Sequence, residues 1–192
     1  MTPRFQFVGG SRAVDFVNTV GNRLDTPTRH DYFRSIADVA DWAIAAGLGG
    51  EQRSIGRLSG RDLRRVVAFR ERLYRMFVAF AGGRTASAAD LAALNDLVGA
   101  ARRQQRIVRT PERFTWRWVP SLPDLDRVIG EIALDAAALL TSSRHAQVRQ
   151  CSDGSCGWLF VDESRGGRRR WCSMADCGNR AKARRHYERR RA

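Results

Sequence analysis

The sequence predicts a mainly α chain: an α-rich N-terminal domain with a few short strands, then a small C-terminal module of one β-hairpin and one helix. Three observations carry this. Apolar residues recur at three- and four-residue intervals in five separate stretches before residue 141. Two-residue alternation is confined to brief runs such as 113–119. All four cysteines fall within residues 151–177. With 192 residues and 43% hydrophobic content, the chain has ample material for a globular core.

Taken in order, Phe5 and Phe7 alternate with polar neighbours and predict a short strand. Gly9 and Gly10 open a loop toward Val14, Phe16, Val17 and Val20, which fit one helical face. Ser35 and Asp38 make a capping pattern for a helix over 36–46, ended by Gly47, with Trp42 in the core. Residues 61–81 give the strongest amphipathic helix: Leu63, Val66, Val67, Leu73, Tyr74, Phe77 and Phe80 share one side, while Arg64, Arg65, Arg72 and Arg75 take other angles. Gly82 and Gly83 terminate it. Ser87 with Asp90 caps the next helix, carrying Leu91, Leu94, Leu97 and Val98, and the two are expected to pack as an antiparallel pair.

The period then changes. Phe114, Trp116 and Trp118 alternate, predicting a strand that buries them on one face, closed by Pro120 and paired with Ile107 and Val108. Pro123 suits the first turn of a long helix through Leu125, Val128, Ile129, Ile132, Ala136, Leu139 and Leu140, and Ser142 and Ser143 mark its end. The domain boundary is placed there, giving 1–145 and 146–192.

Within the second part, Cys151-x4-Cys156 and Cys172-x4-Cys177 are two equally spaced pairs flanking a segment that reads as a hairpin. Four thiolates so arranged describe a structural zinc site, Zn2+ held by Cys151, Cys156, Cys172 and Cys177 with no coordination position left for catalysis. Asp153 and Gly154 supply the first turn. Each second cysteine precedes a glycine, Gly157 or Gly178, which permits unusual backbone angles and lets amides approach the sulfurs. Trp158, Leu159, Phe160 and Val161 form the outgoing strand, Gly166-Gly167 the turn, and residues 168–171 the return. Asn179 caps a following helix, completing a treble-clef-like layout. A module this small depends on its metal to fold.

Charge gives the partner class. The net charge of +14 is concentrated at the end, +6 in the last 42 residues against +8 in the first 150. Zinc with four thiolates lowers the tail by only two. Basic groups flanking a metal-fixed helix point to nucleic acid, with Arg168, Arg169, Arg170, Asn179, Arg180, Lys182, Arg184, Arg185 and Arg189 as contact candidates. DNA is the leading partner. RNA or an acidic protein partner is the alternative, in which the finger is a zinc-stabilised interaction module. A homodimer suits the small footprint of one finger.

The last quarter resembles the CGNR zinc finger, a bacterial domain, on the string Cys177-Gly178-Asn179-Arg180. The likeness extends to Trp158-Leu159-Phe160-Val161-Asp162, to Arg169-Arg170-Trp171-Cys172-Ser173 and to Ala181-Lys182-Ala183-Arg184-Arg185. In that family the finger follows a helical ABATE domain, described among stress-induced transcription regulators. Ala13-Val14-Asp15-Phe16-Val17-Asn18-Thr19 is similar to its opening signature, with Val14 in place of a leucine. The resemblance implies DNA binding by the finger; the architecture of a helical domain before a DNA-binding finger suggests a sensor or dimerisation role for the helical part. Asp15, Asn18 and Thr19 are then candidates to line an effector pocket; the competing reading has them cap and turn the first helix.

Other classes are not indicated. His30, His145 and His186 are scattered, with no nucleophile–base or paired-carboxylate spacing around them, so no enzyme is expected. No phosphate-binding glycine loop occurs. No export segment or bilayer-spanning run is read from the sequence, and the expected location is the cytoplasm, where paired cysteines hold metal rather than form disulfides.

Overall fold

The computed structural model describes residues 4–48, 59–120 and 124–191. Among the described residues five helices build the N-terminal part: α1 (Arg12–Val17), α2 (Ile36–Ala45), α3 (Gly60–Ala81), α4 (Ala88–Arg103) and α5 (Asp124–Thr141). Between and after them lie three two-stranded antiparallel ribbons: β1 (Val20–Gly21) with β2 (His30–Asp31), β3 (Gln105–Arg109) with β4 (Phe114–Trp118), and β5 (Val148–Gln150) with β6 (Leu159–Val161). A 3-10 turn, Ser143–Gln147, joins α5 to β5. A π-helical turn, Met174–Gly178, leads into α6 (Asn179–Arg189).

The capping chemistry acts as the sequence predicts. Ser35 Oγ accepts from Asp38 N, and the Asp38 carboxylate accepts from Ser35 N at 2.6 Å. Ser87 receives the Asp90 amide in the same way at the start of α4. Gly47 follows α2 with φ +71°, a conformation that costs other residues energy. The proposed role of Pro123 falls outside the described residues.

Several expectations are corrected. Residues 5–7 form no strand; they run as irregular chain over Trp42 and Tyr32. Val20 belongs to β1 rather than to α1, which ends at Val17 when Thr19 Oγ1 turns back to bond the Phe16 carbonyl at 2.8 Å. The main neighbour of α4 is α5; its packing on α3 is less extensive and includes the Asp90 end, where Arg75 and Arg72 pair with that carboxylate. The β3–β4 ribbon does not bury all its aromatic residues. Trp118 packs against Gly130 and Ala101, while Phe114 and Trp116 are 72% and 53% exposed.

One core runs through both parts of the chain. Val14, Phe16 and Val17 of α1 share a cluster with Leu73 and Phe77 of α3 and Ile132 and Ala136 of α5, and the same cluster takes in Val148, Leu159 and Val161 of the third ribbon. Burial continues across the sequence boundary because β5 packs on α3 and β6 on α1. A second, smaller cluster gathers the four cysteines with Trp158 and Phe160. Alternation along β6 explains the split: Leu159 and Val161 point to the helices, and Phe160 points to the metal side. Arg70, which no periodicity singles out, is 1% exposed on α3 and forks onto Asp31 at 2.7 and 2.6 Å, tying β2 to the core.

Candidate functional site

The outgoing strand of the predicted hairpin pairs with a different partner. β6 pairs with β5, in the register Val148↔Val161 and Gln150↔Leu159, so the first cysteine pair lies in the loop between the paired strands. Residues 168–171 are not a strand, although the Arg170 carbonyl accepts from Ser152 N at 2.9 Å and holds the second cysteine pair against the first. The reason is local: the Asp162 side chain collects Ser164 N, Ser164 Oγ and Arg169 N, curling 162–169 into a loop.

In the first knuckle, Cys156 N donates to the Asp153 carbonyl at 3.1 Å, and Gly157 takes φ +73°. A side chain at 157 would also meet Arg23 and Leu24 at about 3 Å, so glycine is required twice there. Gly178 differs from the sequence expectation, since its φ is −64°. A Cβ there would fall 2.6 Å from the sulfur of Met174, a flexible side chain 53% exposed and free to shift aside. Ser173, not Asn179, starts the last helical segment, its Oγ accepting from Asp176 N at 3.3 Å. Asn179 instead donates its Nδ2 to the Ala175 carbonyl.

All four sulfurs lie within 4.8 Å of one another, and every cysteine is buried. Cys156 and Cys177 each sit 3.6 Å from Cys172. Sulfurs bound tetrahedrally about 2.3 Å from zinc would be about 3.8 Å apart, so this cluster has the size of a zinc cage. The electrostatics agree. Hydrogen bonds from the Cys156 and Cys172 thiols pull Cys151 down, so the cluster favours a first thiolate. Its proximity pushes the Cys156 and Cys172 thiols up, and burial raises Cys177. Four crowded thiols resist a second negative charge until a cation neutralises it.

Beside the cage stands Asp153, a carboxylate whose place in the sequence predicts only a turn. It is 1% exposed; one oxygen accepts from Ser155 N and Oγ, and the other lies 3.1 Å from Arg180 Nε and 3.5 Å from Arg184 Nη1. Those bonds hold its carboxyl below the usual range against the opposing effect of burial. Arg180 also donates Nη2 to Cys177 Sγ at 3.0 Å. The first knuckle is thus bolted to α6. Asp153-Gly-Ser155 and Asp162-Glu-Ser164 share an Asp-x-Ser spacing, which signals a turn at each but not the arginines that each carboxylate holds.

The nucleic-acid candidates divide accordingly. Arg169 is half-buried, donating to the carbonyls of Val8, Trp171 and Cys172 and lying over the Phe160 ring at 4.3 Å. Arg180 and Arg184 turn part of their guanidinium groups to Asp153. Arg168, Arg170, Lys182, Arg185 and Arg189 are exposed. Asp15, Asn18 and Thr19 are buried and internally bonded: Asp15 accepts from Gly9 N at 2.7 Å, and Asn18 exchanges two 2.9 Å bonds with the Leu159 backbone. The cavity they border holds about 10 Å³, room for one water. A cavity of about 200 Å³ lies instead beside the cage, between His30 and Tyr32 on one side and Cys172, Asp176 and Arg180 on the other.

Comparison with known families decides the relationship. A model of the ABATE family, described as "Putative stress-induced transcription regulator", matches residues 10–143. The chain belongs to the ABATE family. The CGNR zinc finger matches residues 147–190, so this ABATE protein carries that finger with its four ligands in place. No curated protein matches the chain. The zinc of an ABATE protein built this way is structural, because all four positions of the tetrahedron are filled by cysteine. Among the described residues no helix is long and apolar enough to cross a membrane.

Proposed function

We propose that this ABATE protein is a zinc-dependent DNA-binding transcription regulator, acting in the cytoplasm without catalysis of its own. The observation that carries the reading is α6. Lys182, Arg185 and Arg189 are exposed along a helix whose first turns are fixed by Cys177, Ser173 and the Arg180–Asp153 pair. Three exposed cations on one metal-anchored helix suffice to engage duplex phosphates. Zinc supplies rigidity, and the chain supplies charge. The family description adds regulation under stress as the setting.

The test is binding of a labelled duplex by zinc-loaded protein across a salt series. Replacing Lys182, Arg185 and Arg189 together by Gln should flatten the dependence of log affinity on log salt by about 2.7, at about 0.9 for each phosphate no longer neutralised. Cys172→Ser should release zinc and abolish duplex binding. Binding retained at unchanged affinity in the metal-free variant would refute the proposal.

A further inference from the structure

We propose that the β3–β4 ribbon is a second binding surface, one that receives an unpaired nucleic-acid strand. Six arginines, Arg102, Arg103, Arg106, Arg109, Arg113 and Arg117, stand within sixteen residues that hold one acidic group, Glu112. All six are exposed, and among the described residues none of them forms an ion pair with a carboxylate. In the helical core, by contrast, Arg23 is matched with Glu71, Arg70 with Asp31 and Arg75 with Asp90. Charge left unmatched over such a short stretch favours a polyanion.

The apolar groups on the ribbon narrow that to nucleic acid with accessible bases. The register pairs Ile107 with Trp116 and Arg109 with Phe114. Side chains two apart share a face of a strand, so Ile107, Phe114 and Trp116 line one side, at 62%, 72% and 53% exposure. Phe114 and Trp116 are about 7 Å apart along β4, space for a base on each ring. Arg102 lies 5.9 Å from the centre of the Trp116 ring, at the outer reach of a cation–π contact, which leaves the ring face open to a base. Arg109, opposite Phe114, and Arg102, beside Trp116, accompany the rings on that face, whereas Arg106 and Arg117 pair on the other; rings flanked by arginine form a stacking platform that duplex DNA, with its base faces covered, does not exploit.

The platform is anchored at one end before it binds. Trp118, on the same face, is inserted at the ribbon's root against Gly130 and Ala101 and donates Nε1 to Glu131 Oε1 at 2.6 Å. Gly130 makes this possible, because a Cβ there would lie 2.8 Å from the Trp118 ring. That anchor holds the root of the ribbon and spares the binding step the cost of ordering it. A second copy of the chain is a poor occupant, since it would bring six further arginines against these. The root of the surface on α5 is eleven residues, about 16 Å of helix, before the end that leads to the finger. It does not rest on duplex binding by the finger.

The experiment measures a fluorescently labelled oligothymidylate of about ten nucleotides, within the usual site size, beside a labelled duplex, using zinc-loaded full-length protein. Trp116→Ala should weaken oligothymidylate binding about fivefold or more, and Phe114→Ala likewise, with duplex affinity and thermal midpoint unchanged. Arg109→Gln with Arg113→Gln should reduce the single-strand salt slope by about 1.4 and leave both aromatics in place. The α6 triple variant should do the reverse, losing duplex and keeping the oligonucleotide. Unchanged oligothymidylate affinity in the Trp116 and Phe114 variants overturns the proposal. So does loss, in those variants, of binding to phosphatidylserine vesicles or of a concentration-dependent dimer while oligonucleotide binding stays the same.

Discussion

Removing the metal should divide the finger into two halves with different fates. Val148, Leu159 and Val161 are at most 1% exposed and sit in the helical core. At about 1.5–3 kcal/mol each, their burial supplies about 4–9 kcal/mol that is independent of zinc. From residue 162 to 191, by contrast, Ala181 is the one buried apolar side chain among the described residues apart from the cysteine ligands. That stretch depends on the metal, whose binding in small zinc modules is worth about 10–16 kcal/mol. Hydrogen exchange by mass spectrometry, run with and without a tight chelator, separates the halves. Peptides over 163–191 should exchange at unfolded-chain rates after chelation, while those over 148–150 and 159–161 keep strong protection. Equal loss across both, or protection retained throughout, would refute the division.

Three further outcomes are expected. Asn18→Ala strips partners from the buried Leu159 N–H and C=O, at about 1–3 kcal/mol for each group left unpaired, and should lower the thermal midpoint by several degrees with zinc content intact. Burial, reinforced by Asp135 and opposed by hydrogen bonds from Gly9 and Val8 and by Arg169, raises Asp15 to about 6 from an ordinary 3.8. Its folded form therefore holds a proton that the unfolded chain has released, and stability present below pH 3.8 is lost as pH climbs through about 6, by about 3 kcal/mol. Denaturant midpoints should show the wild type losing ground to Asp15→Asn over that window; a constant difference between the two would contradict the shift. Asp153→Asn keeps the acceptor for Ser155 and removes the anion facing Arg180 and Arg184, so helix content in α6 should fall, by circular dichroism, before zinc is lost in a chelator titration.

Legibility in the sequence followed the range of the interactions. Caps at Ser35 and Ser87, the long amphipathic α3 and the cysteine cage depend on residues a few positions apart, and each was readable. The partner of β6 was not, because the choice between residues 168–171 and β5 turns on Asp162 gathering the chain after the strand and on the Leu159 face finding α1. Periodicity likewise put Phe114, Trp116 and Trp118 on one face without showing that the supporting helices reach only the last of them. Arginine-rich composition concealed a division of labour: Arg169 and Arg180 serve the fold, a distinction that requires knowing where carbonyls and Asp153 lie.

The clasp between Asn18 and the Leu159 main chain has a consequence for how such a finger can be reused. Beads-on-a-string zinc modules can be cut out and strung in new orders because each carries its own interior. Here the first strands of the finger complete the interior of their neighbour, so excision would leave an oily scar on both pieces. Shuffling this finger onto a foreign partner would demand a matching seat for Leu159 and Val161, which ties its inheritance to the helical domain beside it.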